Sequence, residues 1–432
     1  MELKKYKLVD IANIEISGVD KKTTEGEIPV RLCNFVDVYR NWAITKAKAE
    51  KFMVASAKQM EIDKCAISKG QVAITKDSET RDDIGLSTYI ADDFDDVVLG
   101  YHCALIKPNP NIVDGKYLNA FMHTRYIQKY FENNASGSGQ RYTLTNDTIN
   151  CIPVLLPSLK EQHTIGKVLS DLDRKIELNR QINDNLEAMA KQLYDYWFVQ
   201  FDFPNEEGKP YKSSGGAMVW NEKLKREIPQ GWDISDVKSL IGPIERGVSY
   251  SSDEILDTSA TPMINLACFS KSGDYRLGEM KFFSGNIPEA KLISPMDMLI
   301  ACTDMTQGAD IIGRPILASN EFKQYTFSTD LALVIPKGKL KMYLYYTLRT
   351  PFYHKYIRPF ASGTTVKHLN LIGVENYVLP IPPMEIQSKF EDAISPIKEQ
   401  QSKNLNEIVA LTKQRDELLP LLMNGQASVV NI

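Results

Sequence analysis

The chain has 432 residues, and its 55 acidic side chains slightly outnumber its 51 Lys and Arg, which gives a formal net charge of −4. Apolar residues make up 43% and charged residues 25%, proportions that are typical of a globular protein and exclude a largely disordered chain. The acidic balance also excludes a uniformly basic nucleic-acid coat, so any nucleic-acid surface must be a local patch.

The two halves of the chain show the same order of predicted elements. Residues 1–155 consist of short β-branched and aromatic runs broken by Gly, Pro and Asn, with one helix near the end, which predicts a mixed α/β domain. Residues 156–215 follow, and they contain a long polar helix. Residues 216–383 predict a second mixed α/β domain, and residues 384–432 a second long helix.

An internal repeat relates these halves. Ala135-Ser136-Gly137 returns 226 residues later as Ala361-Ser362-Gly363, and Lys129-Tyr130 returns as Lys355-Tyr356. The run VAIT matches MLIA at the same offset, and LPSLKEQ matches IPPMEIQ at an offset of 225. Ordered matches with so little drift predict an α+β protein of two similar domains related by a pseudo-two-fold internal repeat.

Both predicted helices, residues 158–199 and residues 384–423, carry a seam at the spacing 4,3,4,3. The first seam consists of Ile165, Leu169, Leu172, Ile176, Asn179, Asn183, Leu186, Ala190, Leu193 and Trp197. The second, 225 residues later throughout, consists of Phe390, Ile394, Ile397, Gln401, Asn404, Ile408, Leu411, Arg415, Leu418 and Leu422. This spacing predicts that the helices join the two domains as an antiparallel coiled-coil spacer. The alternative is that each helix packs only on its own domain.

Charged residues flank both seams, and a polar residue interrupts each. The flanking residues, which the pattern places in solvent, are Glu177, Arg180, Glu187, Lys191, Glu399, Lys403, Glu407 and Lys413. Asn179 and Asn404 occupy equivalent seam positions, where a polar side chain can fix helix register at a cost in stability. The alternative is a polar layer that faces solvent.

The segments after each half carry a resemblance to a known family. LPSLKEQHTIGKVLSDLDRKIELNRQINDNLEAMAKQLYDYWFVQFDF follows the first half, LPIPPMEIQSKFEDAISPI follows the second, and MVWNEKLKREIPQGW leads into the second half. With the loop ASGTTVKHLN, these segments resemble the specificity subunit of type I restriction-modification enzymes. The resemblance implies two target-recognition domains that read the two parts of a split DNA sequence. It also implies two methyltransferase subunits docked on the helices, with restriction subunits added through the complex.

One loop departs from the repeat. The first half reads ASGSGQRYTLTND, with an extra Gly and no counterpart of the KHLN in the second half. We therefore do not expect a residue-for-residue correspondence between these two loops.

The sequence offers no motif for catalysis, a metal or a cofactor. It has neither a GxxxxGK[ST] nor a GxGxxG loop, and its PNPN at residues 108–111 lacks the aromatic residue of an adenine-methylating site. Asp274 with the ExK of Glu289 and Lys291 leaves a nuclease as an alternative. We expect a non-catalytic protein. The apolar runs are too short for a membrane span, and no apolar stretch follows the opening lysines, which together predict a cytoplasmic location.

A local basic bias indicates where DNA would bind. Residues 331–374 contain seven Lys and Arg and no acid, which predicts the phosphate contacts that supply salt-dependent affinity. The alternative is a solvated basic face. Loop residues beside the Gly-rich turns are candidates for base contacts. The complete set of DNA-binding candidates is Arg40, Lys46, Lys48, Gln140, Arg141, Lys271, Arg276, Arg349, Lys355, Arg358, Thr364, Thr365 and Lys367.

Aromatic residues cluster at the end of the first long helix. Tyr196, Trp197, Phe198 and Phe201 are candidates for a methyltransferase-binding surface, because exposed apolar patches mark interaction sites. The sequence thus predicts a scaffold that binds double-stranded DNA, methyltransferase subunits and restriction subunits. The alternative is a coiled-coil interaction scaffold that binds no DNA.

Overall fold

The computed structural model describes residues 2–138, 141–256, 260–270, 274–276 and 278–427. The chain divides into two compact units. The first unit is Met1–Glu177 with Ala410–Ile432, and the second unit is Leu178–Val409. Each unit therefore combines one globular domain with a part of both long helices.

The first unit is built from short strands and short, capped helices. Its strands are β1 (Lys4–Lys7), β2 (Ala12–Ile16), β3 (Ile28–Cys33), β4 (Ala43–Ile44), β5 (Met53–Ala57), β6 (Val72–Thr75), β7 (Asp77–Ser78), β8 (Ser87–Ile90), β9 (Val97–Leu99), β10 (Cys103–Pro108), β11 (Ser136–Ser138), β12 (Arg141–Thr143) and β13 (Pro153–Leu156). Its helices are α1 (Leu8–Ile11), α2 (Phe35–Arg40), α3 (Lys46–Ala49), α4 (Gln59–Cys65), α5 (Gly115–Met122), α6 (Arg125–Asn134), α7 (Asn146–Asn150) and the first part of α8 (Leu159–Tyr194). Asp114 and Thr124 cap α5 and α6, where each side chain accepts a backbone N–H of the first turn.

A five-stranded sheet in the order β2-β10-β6-β8-β4 lies at the centre of the first unit. Its strands are apolar on both faces because both faces are covered. Val72 and Ile74 pack in the core with α5 and α6, whereas Ala73 and Leu105 pack in the core with the sheet β5-β3-β9. Successive strand side chains point to opposite faces, which explains why the run VAIT has no polar alternation before its last residue.

The second unit repeats this construction. Its strands are β14 (Met218–Asn221), β15 (Arg226–Pro229), β16 (Asp233–Asp236), β17 (Glu245–Arg246), β18 (Ile255–Leu256), β19 (Thr261–Ile264), β20 (Lys281–Phe283), β21 (Met298–Ala301), β22 (Thr303–Asp304), β23 (Pro315–Leu317), β24 (Thr326–Phe327), β25 (Leu331–Val334), β26 (Ala361–Ser362), β27 (Lys367–Leu369) and β28 (Val378–Ile381). Its helices are α9 (Val237–Leu240), α10 (Lys341–Thr347), α11 (Pro351–Ile357), α12 (Ile372–Glu375) and the first part of α13 (Met384–Met423).

The sheet topology confirms the predicted repeat and the mixed α/β class. The order β17-β25-β21-β23 in the second unit matches β2-β10-β6-β8 in the first. The parallel pair β19–β24 matches β3–β9, and the pair β16–β28 matches β1–β13. The three-stranded sheet β22-β27-β26 likewise matches β7-β12-β11.

The two long helices have the predicted extents and pair along the predicted seams. The helix α8 ends at Tyr194 and continues as one π-helical turn, Asp195–Val199, while α13 spans Met384–Met423. Every predicted seam position is buried or half-buried in its unit. In the first unit Asp173 lies 3.5 Å from Arg415, and in the second Asn183 bonds to Asn404, so rising numbers on α8 meet falling numbers on α13. The pairing is therefore antiparallel.

A polar layer does interrupt the seam in the second unit. Asn404 Nδ2 donates to Asn183 Oδ1 at 2.8 Å, and Gln401 Nε2 donates to the Asn183 carbonyl at 2.9 Å. The partner of Asn404 is thus Asn183, four residues beyond the predicted Asn179. Glu187 also differs from the expected solvated flank, because it is only half-exposed and forms an ion pair with the buried Lys398.

The extra loop residue of the first half is accommodated in one hairpin. Ser136 pairs with Thr143 in β11–β12, and Ser362 pairs with His368 in β26–β27. The first partners are 226 residues apart and the second 225, so the first hairpin is one residue longer. The repeat offset therefore changes at this hairpin.

All six cysteines are free, and five of them are buried. In the part of the chain that the structure describes, no helix combines the length and apolar character needed to cross a membrane.

Candidate nucleic-acid interface

A groove of about 780 Å³ in the second unit brings several predicted DNA-contacting cations together. Its basic lining residues are Lys191, Arg314, Arg349, His354, Lys355, Arg358 and Lys367. Among the described residues, the lining includes no Asp or Glu. A concave surface with charge of one sign raises the local potential and attracts a polyanion. We call this surface the basic groove.

The fold directs the predicted cations of the basic groove outwards. Thr350 caps α11 by accepting the Tyr353 backbone N–H, and Tyr353 is fully buried. The opposite face of this segment then exposes Lys355 and Arg358 about one turn apart. Lys367 begins β27, where pairing of the backbone with Asp304 holds it beside them.

Three further basic residues reach the groove from other elements. Lys191 comes from α8, and its Nζ lies 2.9 Å from Asp195 Oδ2. His354 is held by a 2.9 Å contact between its Nε2 and the Ala309 carbonyl. Burial and the nearby Arg349 together lower the pKa of Arg314, which shows how densely positive charge is placed here. Sequence patterns marked Lys191 only as a helix flank and did not mark Arg314, because no local signal links them to the groove.

Arg349 has a different role from the predicted phosphate contact. Its side chain is only 13% exposed, and its Nη2 lies 2.6 Å from Asp274 Oδ1 and 3.6 Å from Glu187 Oε1. Although burial disfavours the charged form, Tyr345 and these two carboxylates hold the pKa of Arg349 above its ordinary value. The structure thus assigns Arg349 to an internal ion-pair network, in which it supports the groove from beneath.

The remaining candidates of the second unit lie outside the groove. Thr364 and Thr365 are exposed in the turn between β26 and β27. Arg276 is paired with Glu279 at 2.6 Å and does not line the groove. Lys271 lies outside the described residues.

Candidates in the first unit are more scattered. Arg40 and Lys46 are exposed. Lys48 is only 16% exposed, and its Nζ lies 3.2 Å from Glu177 and donates to the Ala43 carbonyl at 3.0 Å. Lys48 therefore ties α3 to α8 inside the first unit and is not available as the predicted DNA contact. Gln140 lies outside the described residues.

Arg141 is exposed at the start of β12 and belongs to a small polar cluster. Its Nη2 lies 3.4 Å from Asp77 Oδ2, and His102 lies between the two side chains. Burial raises the pKa of Asp77, but hydrogen bonds from Thr143 and His102 and the charge of nearby cations bring it below its ordinary value. Asp77 is therefore an ionised partner at neutral pH.

The aromatic cluster after α8 forms core and not the predicted partner surface. Trp197, Phe198 and Phe201 are 8%, 3% and 2% exposed. Phe198 packs edge-to-face on Tyr343 and Phe390, with ring centroids 4.7 and 4.8 Å apart. Tyr196 alone is half-exposed. The local pattern resembled an exposed patch because the domain that covers these rings lies more than 100 residues further along the chain.

The alternative nuclease residues are not assembled as a metal site. Asp274 is engaged by Arg349, and Lys291 Nζ donates to the Gly247 carbonyl at 2.9 Å. Within the described residues, no group of three or more His, Cys, Asp or Glu side chains is placed to hold a metal ion.

Two repeated α/β domains, paired helices and a basic groove together define a class of DNA-recognition proteins, and comparison with known proteins identifies the family. Residues 2–188 and 229–411 match the type I restriction modification DNA specificity domain. The chain therefore belongs to the type I restriction-modification specificity family, and it carries two copies of the family's domain.

Individual relatives agree with this assignment. The chain is 28% identical over 333 residues to the type I restriction enzyme MjaIX specificity subunit of Methanocaldococcus jannaschii, covering 75% of this chain and 71% of the relative. It is 25% identical over 419 residues to the HindI specificity subunit of Haemophilus influenzae, covering 84% and 88%. The crystal structure of the S subunit from M. genitalium superposes with a TM-score of 0.59 over 98% of this chain and 96% of that chain, at 14% identity. That last likeness shows a shared fold.

Proposed function

We propose that the chain is the non-catalytic, DNA-reading subunit of a type I restriction-modification complex. In this proposal the domains of residues 1–155 and 216–383 each read one half of a split duplex target. The observation that carries the proposal is the basic groove, whose described lining contains six Lys and Arg and no acid in a chain of net charge −4. Duplex DNA carries about one negative charge per 1.7 Å of its axis and is the polyanion such a groove suits. An interaction scaffold without DNA gives no reason for this groove.

The assembly we propose follows the names of the relatives, which are specificity subunits of restriction enzymes. Two methyltransferase subunits would supply the methylation chemistry, and restriction subunits would join through the complex. The segments of residues 156–215 and 384–432, with their long helices, would act as spacer and docking surface. The complex would work in the cytoplasm, and this chain would need no cofactor of its own.

Within the basic groove, Lys355, Arg358 and Lys367 are the proposed phosphate contacts. They are polar tips on a buried framework, so replacing them should leave the fold intact. Phosphate contacts position a protein on DNA without carrying sequence information directly. Loss of all three should therefore weaken binding to cognate and unrelated duplexes by similar factors.

The test is fluorescence anisotropy of the complex assembled with its methyltransferase subunits, at several salt concentrations. In the triple variant Lys355→Gln, Arg358→Gln, Lys367→Gln, the slope of log affinity against log salt should shrink by up to about 2.7, or about 0.9 per contact. The matched control replaces Lys223, Lys225 and Lys403, which are exposed and do not line the groove. Equal slopes in wild type and triple variant would refute the groove as the DNA surface.

The proposed spacer can be tested by removing residues 176–182. This change shortens α8 by about 10 Å and keeps the phase of the seam, because seven residues make one heptad. We expect a new spacing between half-sites whose own sequences are unchanged. Methylation of the original site at the original rate would contradict a spacer role.

A further inference from the structure

Three side chains of the first unit form a chain of polar contacts that the proposed function does not yet use. His102 Nδ1 lies 2.6 Å from Asp77 Oδ2. Arg141 Nη2 lies 2.5 Å from Nδ1 of the same ring and 3.2 Å from its Nε2. The Asp77 side chain is 13% exposed, that of His102 30% and that of Arg141 57%. The chain thus runs from a shielded carboxylate to a guanidinium in solvent.

One protonation state of His102 satisfies both neighbours. Because Nδ1 can serve only one of them, its proton is best placed toward the carboxylate of Asp77, which accepts it. In the neutral ring Nε2 then keeps its lone pair and accepts a hydrogen bond from Arg141. Asp77 therefore sets the tautomer of His102, and the tautomer of His102 sets the direction of Arg141.

The platform beneath this contact chain is held in a specific shape. His102 has a φ of 70°, an uncommon conformation for a residue with a side chain. Its carbonyl accepts the Lys76 backbone N–H at 2.8 Å, and its ring meets Tyr101 edge-on at 3.9 Å between centroids. Backbone pairing of Thr143 with Asp77 fixes β12 beside it. Strained residues of this kind persist where the surrounding structure enforces them and often mark functional positions.

The second unit has no such contact chain at the corresponding place. The position of Asp77 is occupied by Thr303, and that of His102 by Asp330, whose Oδ1 accepts the Thr303 hydroxyl at 2.9 Å. This pair is complete in itself and holds no arginine. The arrangement in the first unit therefore goes beyond what the shared fold requires.

We propose that His102 and Asp77 are positioning residues that aim Arg141 at a base edge in the half-site read by the first unit. This inference rests on the proposed function. A fixed direction matters for a base and little for a phosphate, because the guanidinium fork must meet two acceptors at once. The base it suits is guanine, with O6 and N7 side by side in the major groove.

Protonation of His102 should release Arg141. An imidazolium carries N–H donors on both nitrogens, so the acceptor for Arg141 is lost and two like charges come into contact. The other charged groups near the ring are Asp77 and Lys76, neither of which can replace the acceptor, since Asp77 is already bonded to His102. Reading by Arg141 should therefore weaken as pH falls through the range where histidines titrate, between about pH 8 and pH 5.

The experiment is selection of a randomised duplex pool by the complex assembled with its methyltransferase subunits, followed by sequencing. Wild type, Arg141→Gln, His102→Asn and the double variant are compared at pH 7.5 and pH 5.5. Asn is chosen because it tolerates positive φ. The control, Lys129→Gln, removes an exposed cation of the same unit.

We expect Arg141→Gln to lower discrimination at one or two positions of one half-site by about 5- to 150-fold. His102→Asn should affect the same positions to a smaller extent, and the double variant should match Arg141→Gln. The wild type should lose this discrimination at pH 5.5, whereas His102→Asn should not change with pH. The pH profile of the wild type needs no variant and so does not depend on how well His102→Asn folds.

An unchanged specificity profile in His102→Asn together with a flat wild-type pH profile would overturn the inference. So would a change confined to the other half-site. Failure of the proposed function would look different, because the wild-type complex would then enrich no split sequence at either pH.

Discussion

The two units share a fold and differ in the charge of the surface that each offers to DNA. Strand order, strand direction and the capped helices α5–α6 and α10–α11 correspond from one unit to the other. The basic groove has no equally positive counterpart. Arg358 in the groove corresponds to Glu132, which pairs with Arg125 at 3.4 Å, and the groove residue Ala309 corresponds to Asp83. Apolar positions have kept the fold, while exposed positions have kept no common charge.

The difference suggests a division of labour between the units. The second unit concentrates cations and is suited to hold the DNA backbone. The first unit has fewer free cations but holds Arg141 in a defined direction, which suits reading of a base. The following predictions would break or sharpen this comparison.

The largest effect is expected where the long helices end in each core. Phe198 in the second unit corresponds to Met423 in the first, and both are buried. Phe198→Ala should lower the free energy of unfolding of the second unit by about 3–5 kcal/mol, and Met423→Ala that of the first by about 2–5 kcal/mol, since both leave cavities. Calorimetry should show a different transition shifted in each case. The exposed Val199→Ala is the control, and a shift of both transitions by either core variant would contradict two independent cores.

A smaller effect is expected from the ion pairs between α8 and α13. Glu187→Gln leaves the 7% exposed Lys398 without its carboxylate and should destabilise the second unit by about 3 kcal/mol. Arg415→Gln removes the longer pair with Asp173, at 3.5 Å, and should cost the first unit less. Urea unfolding measures both. Pairing Glu187→Gln with Lys398→Met should restore much of the loss, and absence of that rescue would mean that the buried charge is not the cause.

Acid should separate the units further. Burial raises the pKa of Glu187, but Lys398 and Arg349 outweigh it and hold the pKa below its ordinary value of 4.5. A carboxyl with a lowered folded pKa stabilises above its unfolded pKa, and this stability is lost as pH falls through the folded value. The second unit should therefore lose stability below about pH 4.5, and less steeply in Glu187→Gln. Identical acid profiles for wild type and variant would contradict this ionisation.

The smallest effect is expected from exchanging one charge between the units. Arg358→Glu should shrink the slope of log affinity against log salt by about 0.9 or more, and Glu132→Arg should steepen it by a similar amount. Anisotropy on an unrelated duplex measures both without interference from base reading. If the two changes have no effect, the charge difference between the units does not govern DNA affinity.

Much of the architecture could be read from the sequence because it depends on periodic apolar positions. The repeat, the two long helices and their antiparallel seams follow from spacings that are local to each segment, and α13 begins and ends where the pattern predicted. The positive segment of residues 331–374 likewise located Lys355, Arg358 and Lys367 before the groove was known.

Only the tertiary structure decided which polar and aromatic residues are exposed. Arg349 and Lys48 look like surface cations in sequence, yet partners from distant segments neutralise them. Trp197 and Phe198 look like an exposed patch until the second domain covers them. Lys191 enters the basic groove, and His102 orients Arg141, through contacts that have no periodic signal. Short-range spacing fixes which face of an element is apolar, but the fate of a charge depends on what the rest of the fold brings to it.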